Sequence, residues 1–195
     1  MLNPHHGLPT TGPTMQKKSE LSTVKTLRRD ARKHPEHGAV TADYCADREA
    51  VIALLNQALA TELVCVLRYR RHCFMARGIF ARGVAAEFLT HSNNELDHAD
   101  LLAARIVQLG GAPDFSPDGL SERSHAEYIE GTSLRSMLNE DLIAERIAIN
   151  SYREMVRYLG TDDPTTSDVL KSILAVEEEH ADELADLLQD FPHSN

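Results

Sequence analysis

Apolar residues recur at alternating spacings of three and four in four long segments of the chain, which is the period of an α-helix that buries one face. We predict helices from about Arg48 to Arg77, from about Gly83 to Leu109, from after Ser133 to before Gly160, and from beyond Pro164 to about Gln189. The glycines after the second segment and the Asp-Pro pair before the fourth are typical helix stop and start signals. Because an α-helix rises 1.5 Å per residue, each helix would be roughly 40 Å long, which favours a bundle.

The lengths of the connections indicate how these helices are arranged. The first and third connections are short, so the helices on either side of each are predicted to be antiparallel neighbours. The middle connection, residues 111–132, is long enough to run along the whole bundle. We therefore predict an all-α fold, an antiparallel four-helix bundle with a long crossover between helices two and three. A short helix is expected within residues 122–130.

The N-terminal part of the chain differs from the rest. Residues 1–14 are rich in Pro, Gly, Thr and His, which is typical of disorder, and residues 15–33 favour a short helix that is broken near His34-Pro35. Residues 1–40 carry seven Lys or Arg against three acidic residues, a net charge of +4, so the remainder of a chain of net charge −10 carries −14. We predict a flexible basic extension over residues 1–41 and one bundle domain over residues 42–195.

The composition favours a helical protein that is free in solution. Hydrophobic residues make up 42% of the 195 residues and aromatic residues only 5%. No stretch approaches the roughly 20 consecutive apolar residues that span a membrane. The N-terminus lacks the apolar core of a secretory signal, and the three cysteines (Cys45, Cys65 and Cys73) make no disulfide framework. We therefore predict a cytoplasmic protein with no membrane partner.

Every apolar stripe is interrupted near its middle by carboxylate or imidazole side chains. Helices one and three each contribute one Glu, and helices two and four each contribute a Glu-x-x-His pair, whose members share a helical face. The six residues are Glu62, Glu95, His98, Glu145, Glu177 and His180. Four unpaired carboxylates in a bundle core would be costly and would repel one another. Two bound metal ions would remove that conflict, and these ligand types suit iron or manganese.

The spacing of these residues repeats in the two halves of the chain. In each half a lone Glu precedes a Glu-x-x-His-Ala-Asp motif, and the two separations, Glu62 to Glu95 and Glu145 to Glu177, agree to within one position. Tyr69 and Tyr152 each follow their lone Glu by seven residues, which continues the duplication. A single Glu-x-x-His pair is usually structural, but two copies at matching distances from two further glutamates predict a site for two metal ions.

Residues 48–190 resemble the ferritin-like superfamily, nearest to bacterioferritins and to bacterioferritin-like mini-ferritins of the Dps type. The similar stretches are Asn56–Leu63, Glu95–Asp100, Asp141–Glu145 and Glu177–Asp182. The resemblance implies a ferroxidase that binds two iron ions per subunit, oxidises Fe(II) with O2 or H2O2 and stores ferric mineral in a hollow homo-oligomeric shell. It also implies terminal-ligand roles for Glu62, His98, Glu145 and His180, bridging roles for Glu95 and Glu177, and a hydrogen-bonding or electron-donating role for Tyr69.

Two departures from the bacterioferritin pattern change what is expected. The methionine by which bacterioferritins bind haem is replaced here by Leu96, so we do not expect haem. The stretch after His180 is too short for the fifth helix that helps to close 24-subunit shells, so a 12-mer is favoured over a 24-mer. Basic tails of some Dps proteins hold DNA through its phosphates, but a tail of net charge +4 beside an acidic body does not favour DNA binding.

Ferroxidase and iron store is therefore the main functional hypothesis, and two alternatives stay open. A rubrerythrin-like di-iron peroxidase is weakened because the chain has no CxxC pairs to hold an electron-donating iron. A DNA-compacting Dps-type protein, whose metal site mainly stabilises the bundle, is the second. The sequence leaves open the oxidant, the choice between iron and manganese, and any role of Cys65 and Cys73.

Overall fold

The computed structural model describes residues 21–79 and 81–190, and all regular structure in these residues is helical. The helices are α1 (Val24–Asp30), α2 (Arg48–Met75), α3 (Ala81–Gln108), α4 (Leu120–Arg123), α5 (Leu134–Leu159) and α6 (Pro164–Asp190), and a 3-10 turn covers Pro35–His37. The four long helices lie where the apolar period predicts them, and their ends agree with the predicted ends to within two residues.

The long helices form two antiparallel hairpins. α2 packs along α3, and α5 packs along α6, while the crossover returns along α2 before α5 begins. The hairpin–crossover–hairpin plan confirms the predicted antiparallel four-helix bundle with a long crossover between its second and third long helices.

Short polar side chains and glycine fix the ends of these helices. The Asp47 carboxylate accepts a hydrogen bond from the Ala50 amide at 3.2 Å, which satisfies one of the amides left unpaired at the start of α2. At the end of α3, Gly110 has a φ of 78°, and the Gly111 amide donates to the Ile106 carbonyl at 2.9 Å. Such a turn requires a left-handed residue, so glycine is strongly favoured there.

Two apolar clusters lie at opposite ends of the bundle and leave a polar middle between them. One contains Leu55, Leu102 and Leu170, and the other contains Phe88, Leu138 and Leu184. The predicted stripe positions of all four long helices are buried or half-buried. The bundle therefore encloses whatever side chains occupy the middle of each stripe.

The length and mean hydropathy of α2 are those of a membrane-spanning helix, which corrects the expectation that no stretch approaches them. Half of the residues in its most apolar window are buried inside the bundle, and its buried face includes Glu62. α2 is therefore a core helix of the bundle.

The helix within the crossover begins earlier than predicted and is a single turn. Gly119, with a φ of 67°, starts it, and extended Ser124 ends it. Beyond Ser124 the crossover backbone is held by α2 instead of forming a helix. The amide of His125 donates to Thr61 Oγ1 at 2.9 Å, and the Glu127 carbonyl accepts from Arg68 Nη1 at 2.7 Å.

The sequence places Arg68, Arg70 and Arg71 on the outer or dimer-facing side of the first long helix, and for Arg68 this prediction is wrong. Its side chain is 1% exposed and its Nε donates to Asp141 Oδ1 on α5 at 2.8 Å. The other Asp141 oxygen lies 2.8 Å from His72 Nδ1. Arg68 faces inward because the carboxylate and a crossover carbonyl give its charge partners there.

The segment before the bundle contains a shorter helix than predicted, and residues 15–20 of the predicted span lie outside the described residues. α1 ends at Asp30, before the predicted break at His34-Pro35. Tyr44 joins this segment to the bundle, because its hydroxyl donates to Asp163 Oδ2 at 2.7 Å. The boundary between residues 41 and 42 stays a prediction.

Candidate metal centre

The six predicted ligands come together in the polar middle of the bundle. Each lies near the middle of its helix, and all six side chains are almost completely buried. α2 and α5 each present one carboxylate, whereas α3 and α6 each present a Glu and a His one helical turn apart. The structure thus gathers every predicted ligand at one place, although the six are spread over four helices and most of the bundle sequence.

The ligand atoms divide into two half-sites. In one, His98 Nδ1 lies 3.0 Å from Glu177 Oε1, 3.2 Å from Glu95 Oε2 and 3.5 Å from Glu62 Oε2. In the other, His180 Nδ1 lies 3.5 Å from Glu95 Oε1, 3.6 Å from Glu177 Oε2 and 3.9 Å from Glu145 Oε1. Glu95 and Glu177 each give one oxygen to each half, which is the arrangement of a bridging carboxylate.

Several of these atoms have no hydrogen-bond partner among the described residues. They are Glu95 Oε1, both carboxylate oxygens of Glu177, and Nδ1 of His180. A buried polar atom without a partner costs about 1–3 kcal/mol, and more when it is charged. Both half-sites also have four ligand atoms that lie within 4.8 Å of one another. The residues therefore fit two metal ions, which would bind the unpartnered atoms and balance the carboxylate charges.

Burial and mutual repulsion perturb the acids of the metal-free centre. Burial, together with the charges of Glu95 and Glu177, raises the pKa of both Glu62 and Glu145 well above its usual value. Burial would also raise the pKa of Glu95, but its contacts with His180 and His98 outweigh that effect and lower it.

The two histidines of the metal-free centre stay positively charged, with both ring nitrogens protonated, to high pH. Burial alone would lower the pKa of each, but Glu177 and the other carboxylates outweigh it. The pKa of His98 is raised to about 12 and that of His180 to about 9. Metal ions compete with these protons, because a ligating imidazole must give up the proton on its binding nitrogen.

This electrostatic balance predicts how metal and pH together set stability. The folded metal-free protein holds protons more tightly than the unfolded chain does, on Glu62 and Glu145 from about pH 4.5 upwards and on His98 and His180 from about pH 6.5 upwards. Its stability therefore falls as the pH rises towards 9. Bound metal would displace those protons, so the metal-loaded protein would not lose stability in this way as the pH rises. We expect the difference in Tm between Zn(II)-loaded and metal-free protein to widen steadily with pH in calorimetric scans. A constant difference across this range would contradict the assigned protonation.

Two buried tyrosines hold the lone glutamates, and each reaches across to the opposite hairpin. The Tyr69 hydroxyl on α2 donates to Glu145 Oε1 on α5, and the Tyr152 hydroxyl on α5 donates to Glu62 Oε1 on α2. Burial and the neighbouring carboxylates raise the pKa of both tyrosines, which keeps the phenols protonated as donors. Sequence reasoning placed only Tyr69 at the site and missed Tyr152, although the seven-residue spacing that the two share was a signal for it.

Asn94 is a further residue of the site that the sequence did not single out. Its side-chain amide lies 3.1 Å from His180 Nε2, the ring nitrogen that faces away from the centre. A ring that binds metal through Nδ1 carries its proton on Nε2, and with the Asn94 amide in its flipped orientation the amide oxygen would accept a hydrogen bond from that N–H group. No local motif marks this residue, because its partner is on another helix.

The chain is similar in sequence to several known proteins. A family model described as a ferritin-like domain matches residues 52–194. The bacterioferritin BfrA of Mycobacterium tuberculosis is 31% identical over 140 residues, which cover 71% of this chain and 84% of the relative. A nutrient stress-induced DNA-binding protein of Synechococcus sp. is 33% identical over 139 residues, which cover 69% of this chain and 78% of the relative.

A solved structure also superimposes closely. It is the bacterioferritin-related protein of Bacteroides fragilis, described as a dodecameric thioferritin. The TM-score is 0.72 at 35% identity, and the match covers 75% of this chain and 88% of the other.

Proposed function

The chain belongs to the ferritin-like family and is related to bacterioferritins, and from this premise we propose that it is a ferroxidase and iron store. It oxidises Fe(II) with O2 or H2O2 at the buried centre and keeps the ferric product inside a hollow homo-oligomeric shell. One observation carries the proposal: Glu95 and Glu177 each divide their two oxygens between two complete half-sites. A centre that only stabilised the bundle would not need two cations so close together.

Each residue of the centre has a distinct role in this proposal. Glu62 with His98, and Glu145 with His180, are the terminal ligands of the two half-sites, while Glu95 and Glu177 bridge them. Two Fe(II) ions bound there supply two electrons to a shared oxidant. Tyr69 and Tyr152 fix the terminal carboxylates by hydrogen bonds, and the two apolar clusters exclude water from either end of the site.

The charge of the ligand set favours turnover of iron. Four carboxylates carry four negative charges, which balance two divalent ions but leave two trivalent ions undercompensated inside a buried site. The centre is therefore better matched to Fe(II) than to its oxidised product, which favours release of Fe(III) towards a store. Haem has no part in this proposal, because Leu96 offers no ligand atom where bacterioferritins carry methionine.

Iron loading tests storage directly and separates it from the alternatives. Aerobic addition of Fe(II) in steps, followed by desalting and iron analysis, is expected to leave far more than two iron atoms per subunit. A rubrerythrin-like peroxidase or a structural metal site would saturate near two. Retention of two or fewer iron atoms per subunit at every ratio of iron to protein would contradict the storage part of the proposal. The oxidation step would then be tested separately, by the rate of Fe(II) oxidation.

The proposed assembly is a dodecamer of about 260 kDa, twelve copies of a 21.7-kDa chain related by closed symmetry. The Bacteroides fragilis relative supports this size, since it is described as dodecameric and shares the fold at 35% identity. Size-exclusion chromatography with light scattering is expected to give that mass before and after iron loading. A mass twice as large, as a 24-mer would have, or a dimer with full turnover, would contradict it.

The basic N-terminal segment is proposed to be dispensable for iron oxidation. All six ligands lie beyond Asp47, the N-cap of α2. Deleting residues 1–40 is therefore expected to leave the rate of Fe(II) oxidation unchanged, and loss of activity would mean that the domain boundary is misplaced. Electrophoretic mobility of DNA with the full and shortened chains tests the DNA-compacting alternative, which the acidic bundle does not favour.

A further inference from the structure

A second group of metal-binding side chains lies between the proposed centre and the surface. His91 on α3 is completely buried, and its Nε2 is 2.9 Å from Glu183 Oε2 on α6 and 3.5 Å from Glu87 Oε1. The two carboxylate side chains are 44% and 35% exposed. One side of the His91 ring stacks on His180, with 3.9 Å between ring centroids and 18° between planes. We call Glu87, His91 and Glu183 the outer cluster.

The hydrogen bonds around His91 leave a lone pair facing the two carboxylates. The single hydroxyl proton of Tyr69 is donated to Glu145, so the Tyr69 oxygen can only accept from His91 Nδ1, which lies 3.3 Å away. A neutral His91 then carries its proton on Nδ1 and presents the Nε2 lone pair to Glu183 and Glu87. Three lone-pair donors converge at that point, and either a divalent cation or a proton between them relieves the repulsion.

The separations in the outer cluster are those of atoms that share a metal ion. Two ligands bound at about 2.1 Å lie about 3.0 Å apart at a right angle and about 3.4 Å apart at a tetrahedral angle. The two distances from His91 Nε2, 2.9 and 3.5 Å, match these values. One nitrogen and two carboxylate oxygens, with water in the remaining positions, suit a divalent first-row cation.

The outer cluster breaks the duplication that relates the two halves of the bundle. Adding 82 to Glu95 and His98 gives Glu177 and His180, so α3 and α6 correspond at that offset. The same offset pairs the outer cluster with apolar residues: Glu87 with Val169, His91 with Ile173, and Glu183 with Leu101. The fold therefore accepts an apolar set at the equivalent place, and packing alone does not require the polar one.

We propose that Glu87, His91 and Glu183 form a third divalent-cation site, which takes up Fe(II) from solvent and passes it to the His180 half of the centre. His91, Glu145 and His180 have ligand atoms within 4.8 Å of one another, which gives the cation a short path inward. The identity of the cation as Fe(II) rests on the proposed ferroxidase function, whereas the site itself rests on the geometry of the outer cluster.

Equilibrium dialysis with Co(II) under nitrogen tests the site without relying on activity. The full-length metal-free protein is expected to bind three Co(II) per subunit, and the Glu87→Gln/Glu183→Gln variant is expected to bind two. The matched control is Asp100→Asn/Asp186→Asn, which removes the same charge from exposed positions of α3 and α6 and is expected to bind three. Crystals of the Co(II) form, measured at the cobalt absorption edge, locate the third ion.

The outcomes separate this inference from the ferroxidase proposal. Binding of only two Co(II) by the native chain would overturn the third site and would show that a proton, held between His91 and Glu183, takes the place of the cation. A third ion that persists in the Gln variant, or that lies away from His91, would overturn it as well. Three bound ions with no Fe(II) oxidation would instead contradict the proposed function and leave the third site standing. Circular dichroism of each variant confirms that the helices are retained.

Discussion

Replacing Glu177 by Gln is expected to slow aerobic Fe(II) oxidation by at least about 100-fold, since even residues that only orient metal ligands contribute 10–100-fold. The substitution keeps the size of the side chain but removes the charge and one of the two bridging oxygens from a site that has no spare ligands. Both Glu177 oxygens lack hydrogen-bond partners among the described residues, so no protein group compensates for the change. The measurement is the initial rise of ferric absorbance under a fixed iron-to-protein ratio.

The next residue along the chain provides the control. Glu178 is exposed on the same helix and pairs with Arg153 at the surface, so Glu178→Gln makes the same chemical change outside the centre. It is expected to keep the native rate. Metal-free Glu177→Gln is expected to unfold at a lower Tm than the native protein, because Glu177 lies 3.0 Å from His98 Nδ1 and helps to keep both histidines protonated. Circular dichroism therefore confirms that the variant is folded before its rate is compared. Equal rates for the Glu177 and Glu178 variants would exclude the proposed centre.

The six ligands could be predicted from the sequence because two independent regularities coincide on them. The apolar period assigns a residue to the buried face, and a charged residue on that face needs a partner. Glu62 and Glu145 break the stripes of their helices at equivalent places, and the Glu-x-x-His pairs do the same at matching distances. Helix length then guarantees that residues at mid-height of four antiparallel helices meet.

The contacts between helices could not be predicted in the same way. The sequence places Tyr69 seven residues after Glu62 but names no partner for its hydroxyl, which reaches Glu145 on α5. Which helix a side chain reaches depends on how the hairpins face each other, and that is a property of the packed bundle. Asn94 could not be identified from the sequence for the same reason, because its partner His180 is 86 residues away on another helix.

Arg68 shows a further limit of the sequence. A charged residue on a helix is ordinarily placed in solvent, and the residues on either side of Arg68 give no reason to place it elsewhere. Its partners are Asp141, 73 residues further on, and the carbonyl of Glu127 in the crossover. The crossover needs donors for its carbonyls because it runs along α2 without forming a helix. That need becomes visible only when the path of the crossover is known.

The Arg68–Asp141–His72 group supplies the second large effect. Asp141→Asn is expected to destabilise the metal-free protein by about 3–5 kcal/mol, because removing one partner of a buried ion pair leaves the other charge uncompensated. Asp141 is completely buried and bonds both Arg68 and His72, while those two residues bind the crossover carbonyls. Loss of the carboxylate therefore loosens the contact between α2, α5 and the crossover together.

Thermal unfolding at one fixed protein concentration measures this effect, since the stability of an oligomer depends on concentration. A loss of that size corresponds to a Tm lower by roughly 10 °C for a chain of about 200 residues.

Glu178→Gln is the control, because it breaks only an exposed pair with Arg153, and it is expected to change the free energy of unfolding by about 1 kcal/mol or less. The six ligands do not include Asp141, so metal-loaded Asp141→Asn that remains folded is expected to oxidise Fe(II) at the native rate. A Tm shift no larger than that of the Glu178 variant would show that the buried pair contributes little, and a lost oxidation rate in folded protein would place Asp141 in the metal centre.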